Sequence, residues 1–386
     1  MTPLASSLFL AAALKGSLEL GDRTEARFTG TTSPTTYSAE VMTNPSALLR
    51  LDMRRWEISA RYAPSLTLRG LGIEPALDIL HQGRLEASIE ASRRLTLSIS
   101  GEGSYGTVRF LSPTLSEAGF ASAQPVDTLP GLDTITFASL NTSIGAAFAA
   151  TRRLKLEANA GYYLSGGVDE ASQDAYPQIA GPRAHLGAEY SLTRRDRARS
   201  TADATWVSFS TGEEAFIGQL TEAWVHRFTR RTTSTLGLGV ALDSTRPADG
   251  ADRQTVLYPV AEADLNHRVP ARRLELGIGL RVAPVIDRLR GEVDPRLLLD
   301  ASAAYQANRR VSVWAQAGGS QSIPWGERDA LTLAFSEAGV RLHLADWVDL
   351  VNGARAAYQL REETEPHRLQ WMIFSGAMFT APRIRF

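Results

Sequence analysis

Glu86, Glu90 and Glu102 stand close together on the chain, and Arg281, Arg296, Arg341 and Arg355 follow far downstream, each within a run where polar and apolar residues alternate. Ionised groups at every second position share one side of an extended backbone. Carboxylates held that way draw cations, guanidiniums draw anions, and the two facing each other across water orient a passing solute. By the same alternation the polar side carries Glu157, Arg183, His185, Glu189, Glu275, Asp300 and Glu337, with Arg199, Asp203, Glu262, Asp264, His343 and Asp349. The expectation is a wall with an acidic sector early in the chain and a basic sector late in it. Five rings also fall on that side, Tyr163, Phe209, Tyr258, Trp314 and Phe335.

No catalytic constellation accompanies these residues. His81, His185, His226, His267, His343 and His367 lie in different segments without metal-ligand spacing. No nucleophile–histidine–acid set and no phosphate-cradling glycine loop can be assembled. His185 and His343 are the two histidines on the polar side, where a hydrogen-bonded role is expected of them. The reading is of a protein that is not an enzyme and takes no metal and no cofactor.

The elements that position the charges follow from the alternation. After Arg55, Trp56, Ile58, Ala60 and Tyr62 oppose Glu57, Ser59 and Arg61; after Arg153, Leu154, Leu156, Ala158, Ala160 and Tyr162 oppose Lys155, Glu157 and Asn159. A period of two is the signature of a strand with one apolar face. Strands of soluble proteins run about 5 to 6 residues and strands that cross a bilayer about 9 to 11. The longer class fits these runs, which favours lipid over a shared sandwich core as the cover of the apolar face.

Paired arginines punctuate the runs: Arg54-Arg55, Arg93-Arg94, Arg152-Arg153, Arg194-Arg195, Arg230-Arg231, Arg272-Arg273 and Arg309-Arg310, with an eighth turn at Asp346-Trp347. The steps are about 40 residues, except one that is about 20 longer. A propeller blade of that period holds four short strands, and a solenoid repeat needs helical periodicity; here each step holds two long strands. Two strands between neighbouring turns, two before the first and two after the last give 18 strands. Sixteen is the alternative, because Ser17–Phe28 alternates poorly and Pro45 interrupts Ser38–Leu51.

Composition bounds the class. The 386 residues include no cysteine, and 41 Lys and Arg nearly balance 42 Asp and Glu, which argues against nucleic acid as a partner. No apolar stretch reaches the 18 or so residues of a membrane helix. Residues 1–16 contain the apolar segment Leu4–Leu14, read as a signal-peptide remnant or lead-in, and residues 17–386 form one domain. The chain ends on Phe386, and Ile384, Met378, Phe374 and Met372 share its parity.

In hairpin repeat, strand length and terminal aromatic residue, the chain resembles the Gram-negative outer-membrane β-barrels, porin-like in size. The resemblance implies an all-β, transmembrane, antiparallel up-and-down barrel in the bacterial outer membrane, with short periplasmic turns at the arginine pairs. It implies outer-membrane lipid and the barrel assembly machinery as partners, with Phe386 as the assembly signal, and periplasmic envelope partners that the arginine turns would meet. It further implies that the long connection 108–133, between the fifth and sixth strands, folds into the lumen as a constriction loop bearing Phe110, Glu117, Phe120, Asp127 and Asp133, with an ordered surface flap as the alternative. Three functions fit: a channel for small hydrophilic solutes, an export port for a polysaccharide, and a scaffold barrel in an envelope-spanning complex.

Overall fold

Alternation over such lengths demands extended backbone, and a computed structural model of the protein consists of little else. It describes residues 15–32, 35–70, 76–109, 134–248, 250–269, 273–287, 292–323, 331–361 and 368–386. Twenty-one extended segments make eighteen strands, because three strands are interrupted once each. The first half of the wall is β1 (Lys15–Thr32), β2 (Thr35–Thr43 and Ser46–Met53), β3 (Trp56–Tyr62 and Ser65–Arg69), β4 (Ala76–Ser92), β5 (Leu95–Arg109), β6 (Thr134–Ala149), β7 (Leu154–Gly167), β8 (Ile179–Ser191) and β9 (Asp196–Phe209). The second half is β10 (Glu214–Arg227), β11 (Thr232–Arg246), β12 (Gln254–Val269), β13 (Leu274–Asp287), β14 (Glu292–Gln306), β15 (Val311–Ser322), β16 (Leu331–Ala345), β17 (Val348–Arg361) and β18 (Arg368–Thr380, resuming at Ile384–Arg385). A short helix, α1 (Glu170–Ala175), lies between β7 and β8.

Each strand pairs antiparallel with its neighbours in the chain, and β18 pairs with β1 from Gly21↔Thr380 to Thr31↔Gln370. The sheet is thus a closed barrel without a free edge. The doubtful first pair belongs to it. Pro45 has no N–H and breaks β2, yet Asn44 N donates to Arg23 O (2.8 Å) and Arg23 N to Asn44 O (3.3 Å), so β1 holds both pieces. Pro64 interrupts β3 similarly, beside a bond from Ala63 N to Gln82 O (2.9 Å).

Five of the seven arginine turns owe their shape to the residue before the pair. Ser92 Oγ accepts from Arg94 N and Leu95 N, Thr151 Oγ1 from Arg153 N and Leu154 N, and Asn308 Oδ1 from Arg310 N and Val311 N, at 2.7 to 3.2 Å. Thr193 Oγ1 likewise accepts from Arg195 N and Asp196 N, and Thr229 Oγ1 from Arg231 N. A side-chain oxygen that takes two backbone N–H groups closes a tight turn without glycine. The described arginines of these turns are exposed.

Register partners share a face, so the two faces can be traced around the barrel. Leu236↔Ala263↔Leu280↔Leu299 run along the outside, where Leu236, Leu280 and Leu299 are exposed and Leu238 is 73% exposed. Asp264↔Gly279↔Asp300↔Gly318 run along the inside. An apolar exterior of this extent is stable only when lipid covers it, and a closed barrel satisfies its backbone there without water. At the C-terminus the faces exchange: Met372 and Phe374 are buried inside against Val351. Beyond Ala381-Pro382-Arg383, Ile384 pairs with Leu18, and Phe386 exchanges both backbone bonds with Gly16. Ile384 and Phe386 face out, so their shared parity with Met372, Phe374 and Met378 is not a shared face.

Candidate functional site

The inward wall holds Glu86, Glu90, Glu102, Glu157, Arg183, His185, Glu189, Glu275, Arg281, Arg296, Asp300, Trp314, Glu337, Arg341 and Arg355, each on the register that faces away from the exposed leucines. Their charges do not form two sectors. Arg84, on β4 among the acids, binds Glu86 and lies 4.0 Å from Glu102, whose other contact is Asn141 Nδ2 at 3.2 Å. Arg199 Nη2 reaches from β9 to Glu262 on β12 at 2.5 Å. The path is clear because Gly237 lies beneath: a Cβ there would meet Glu262 Cγ at 2.6 Å. On the late strands Glu337 accepts from Arg355 Nε at 2.8 Å, Trp314 Nε1 at 3.1 Å and Gln316 Nε2 at 3.1 Å. His185 Nδ1 lies 2.7 Å from Asp203 and Nε2 3.5 Å from Glu157; His343 Nδ1 lies 2.7 Å from Asp349. Charges of both signs are thus interleaved along this wall. Among the described residues no group of three or more His, Cys, Asp or Glu could hold a metal.

A cluster missed from sequence fills the wall of β1 to β4. Glu25, 1% exposed, binds both Arg23 and Arg27, and Arg27 Nη2 stands 2.8 Å from it. Arg69 Nη2 donates to Asp78 Oδ1 at 2.7 Å. Beside them is a cavity of about 370 Å³ lined by Arg23, Arg27, Glu40, Arg61, Asp78 and Gln82. Arg23, Glu25 and Arg27 already stood two apart in the sequence. The weak apolar alternation of β1 hid them.

Two connections cover the outer mouth. In the first, α1 is capped by Asp169, whose carboxylate accepts from Ser172 N at 2.8 Å; that bond holds its pKa below the usual carboxylate value. Ala175 and Tyr176 then pack on Leu80, Ile135 and Phe137 of β4 and β6. The second is the β13–β14 hairpin. The β12–β13 ladder stops at Ala261↔Val282, although both strands continue. The β14–β15 ladder stops at Arg296↔Ser322, one bond from Ile323 N to Pro295 O (2.9 Å) aside. The freed arms Ala283–Asp287 and Glu292–Pro295 remain paired to each other. They leave the wall and enter the mouth, where Val293 and Ile286 seat on Tyr163, Ile179, Val207, Phe209 and Ala215 of β7 to β10. Pro259, Pro284 and Pro295 lie at the split and cannot donate to a ladder there. On the other side of the arms Arg296 Nη2 lies 3.3 Å from Asp287 and 3.5 Å from Asp294, with Arg296 and Asp287 0% exposed.

The hairpin changes what the rings do. Tyr163 and Phe209 are its seat, Tyr258 is buried against Val260 and Ala241, and Trp314 packs beside Val351; Phe335, 45% exposed, is open to the lumen. Phe110, Glu117, Phe120, Asp127 and Asp133 of the expected constriction loop lie outside the described residues.

A family model described as the EpsX exopolysaccharide export family matches residues 19–380. No curated protein matches by sequence. Among solved structures, the apo form of the FrpB iron transporter from Neisseria meningitidis (F5-1 variant) aligns with a TM-score of 0.54 at 8% identity, over 90% of this chain and 62% of that one. The Pseudomonas aeruginosa channel OccK2 (OpdF), solved in complex with glucuronate, aligns with a TM-score of 0.50 at 10% identity, over 95% of this chain and 98% of that one. At such identities the likeness is one of fold, that of outer-membrane β-barrels. This chain spans about three fifths of the length of the FrpB transporter.

Proposed function

The chain belongs to the EpsX exopolysaccharide export family, and from that premise we propose that it is the outer-membrane port through which a polysaccharide leaves the periplasm. The observation that carries the reading is the family match over nearly the whole of an eighteen-strand barrel. A barrel of that size leaves an aqueous lumen unless something plugs it. Its wall suits a sugar polymer. Carbohydrate chains are hydrated and rich in hydroxyls, and a lumen of interleaved ion pairs and serines, such as Ser100 Oγ against Ser143 Oγ at 2.7 Å, offers exchangeable partners without gripping one charge. Smooth transit requires binding favourable enough to enter and weak enough to leave.

Deleting the gene tests this. Surface polysaccharide is expected to fall to background while uptake of small solutes is unchanged, with recovery on complementation. Polymer at the parental level on the deletion strain would remove the reading in favour of a small-solute channel, for which the barrel fold and lumen are equally suited.

A further inference from the structure

We propose that the β13–β14 hairpin is a lid on the outer mouth, hinged where its ladders end, and that Tyr163 and Phe209 beneath it become sugar-stacking rings when it swings out. The inference rests on the export reading, since it supplies the regulation of that port.

Three observations carry it. The arms are detached from β12 from Ala283 onward and from β15 beyond the single bond at Pro295, so movement would break few wall ladder bonds. Proline at 259, 284 and 295 leaves those positions without the N–H groups that would otherwise zip the arms back into the sheet. The third is an ionic link at the hinge: Arg296, the last residue of β14 still paired to β15, reaches Asp287 and Asp294 on the two arms at 3.3 and 3.5 Å, so both arms are tied to the point about which they would turn. Adhesion to the far wall includes an apolar seat, through Val293 and Ile286.

That seat has a second use. With the lid down, Tyr163 and Phe209 are 7% and 5% exposed. With it raised, two inward rings on β7 and β9, the strands on either side of β8, would face the lumen near its exit, where pyranose faces can stack on them. A polymer that binds the uncovered rings stabilises the open state by its difference in affinity for the two states.

Because the chain has no cysteine, a tether is clean. Val207→Cys with Val293→Cys, joined by a short bifunctional thiol reagent, fixes the lid to its seat; Ile286→Ser with Val293→Ser weakens the seat. Both are read as single-channel currents in potassium chloride across planar bilayers, after heat-modifiable gel migration has confirmed a folded barrel. The expected result is intermittent opening of the uncrosslinked protein, abolished by the reagent, and a several-fold larger open fraction in the serine variant. Maltohexaose should add current blocks in the serine variant, and Phe209→Ala should remove most of them. Currents that are the same before and after crosslinking overturn the lid, whether steadily open or steadily shut; blocks that persist undiminished in Phe209→Ala overturn the stacking role. These currents require no secreted polymer, so a moving lid in a protein whose deletion leaves the polysaccharide in place would remove the export reading and keep the gate.

Discussion

Arg355→Ala should be among the most damaging single changes in the lumen. Glu337 and Arg355 are each 7% exposed, and the carboxylate receives Arg355 Nε at 2.8 Å with Trp314 Nε1 and Gln316 Nε2 at 3.1 Å. Removing the guanidinium leaves a buried carboxylate with two neutral donors. Breaking a buried pair from one side costs about 3 to 5 kcal/mol, whereas an exposed pair is worth about 0 to 1. The burial of both side chains places this one in the first class. Replacing both, Arg355→Met with Glu337→Gln, removes the stranded charge and is expected to cost less than Arg355→Ala alone. Equilibrium unfolding in urea from lipid vesicles measures the loss, and tryptophan emission follows it because Trp314 donates to Glu337 itself. A loss below about 1 kcal/mol for Arg355→Ala, or a double variant as unstable as the sum of the singles, would show that lumen water already solvates the pair.

Other perturbations test other parts. Leu238→Arg, outward and 73% exposed, should destabilise the barrel in lipid by about 2 to 4 kcal/mol, while Gln219→Arg on the inward side of β10 should cost far less; equal effects in vesicle unfolding would contradict the assignment of faces. Asp169 has a lowered folded pKa, so its capping contribution is present above its unfolded pKa and is lost as pH falls through the folded value. Hydrogen exchange of α1 amides should therefore accelerate only in acid, and Asp169→Asn should flatten that dependence. Gly16 lies under the Phe386 ring, where a Cβ would meet Cε2 at 2.1 Å. Gly16→Val should lower the yield of heat-modifiable barrel, and an unchanged yield would mean that the terminal ring need not pack there.

Much of this fold is legible in the sequence because its two determinants are local. Alternation sets the face of each residue, so Glu86, Arg183, Glu337 and Arg355 could be placed inside from parity alone, and the turns could be counted from their arginines. The better marker stood one residue earlier: Ser92, Thr151, Thr193, Thr229 and Asn308 make the turns that the arginines only accompany. The first pair of strands was doubtful because β1 alternates poorly and a proline breaks β2, and only the pairing of β1 with both pieces of β2 shows that the ladder resumes beyond it. What alternation cannot carry is partnership. Arg199 and Glu262 are 63 residues apart and meet because an intervening glycine leaves room. The opposed sectors of charge failed for that reason, since the basic residues that neutralise Glu86 and Glu102 were not among those weighed. The lid was hidden for a related one: its arms keep strand alternation, and Pro259, Pro284 and Pro295 gain meaning only once register brings them to the same split.

The central claim is that a sugar polymer passes through this barrel, and reconstitution tests it most directly. Vesicles loaded with the purified exopolysaccharide of the source strain, with and without the protein in the membrane, are assayed for polymer released to the outside. Release that requires the protein, and that ceases when the crosslinked cysteines hold the hairpin to its seat, is the expected result. Ions and monosaccharides passing freely while the polymer stays inside would contradict it.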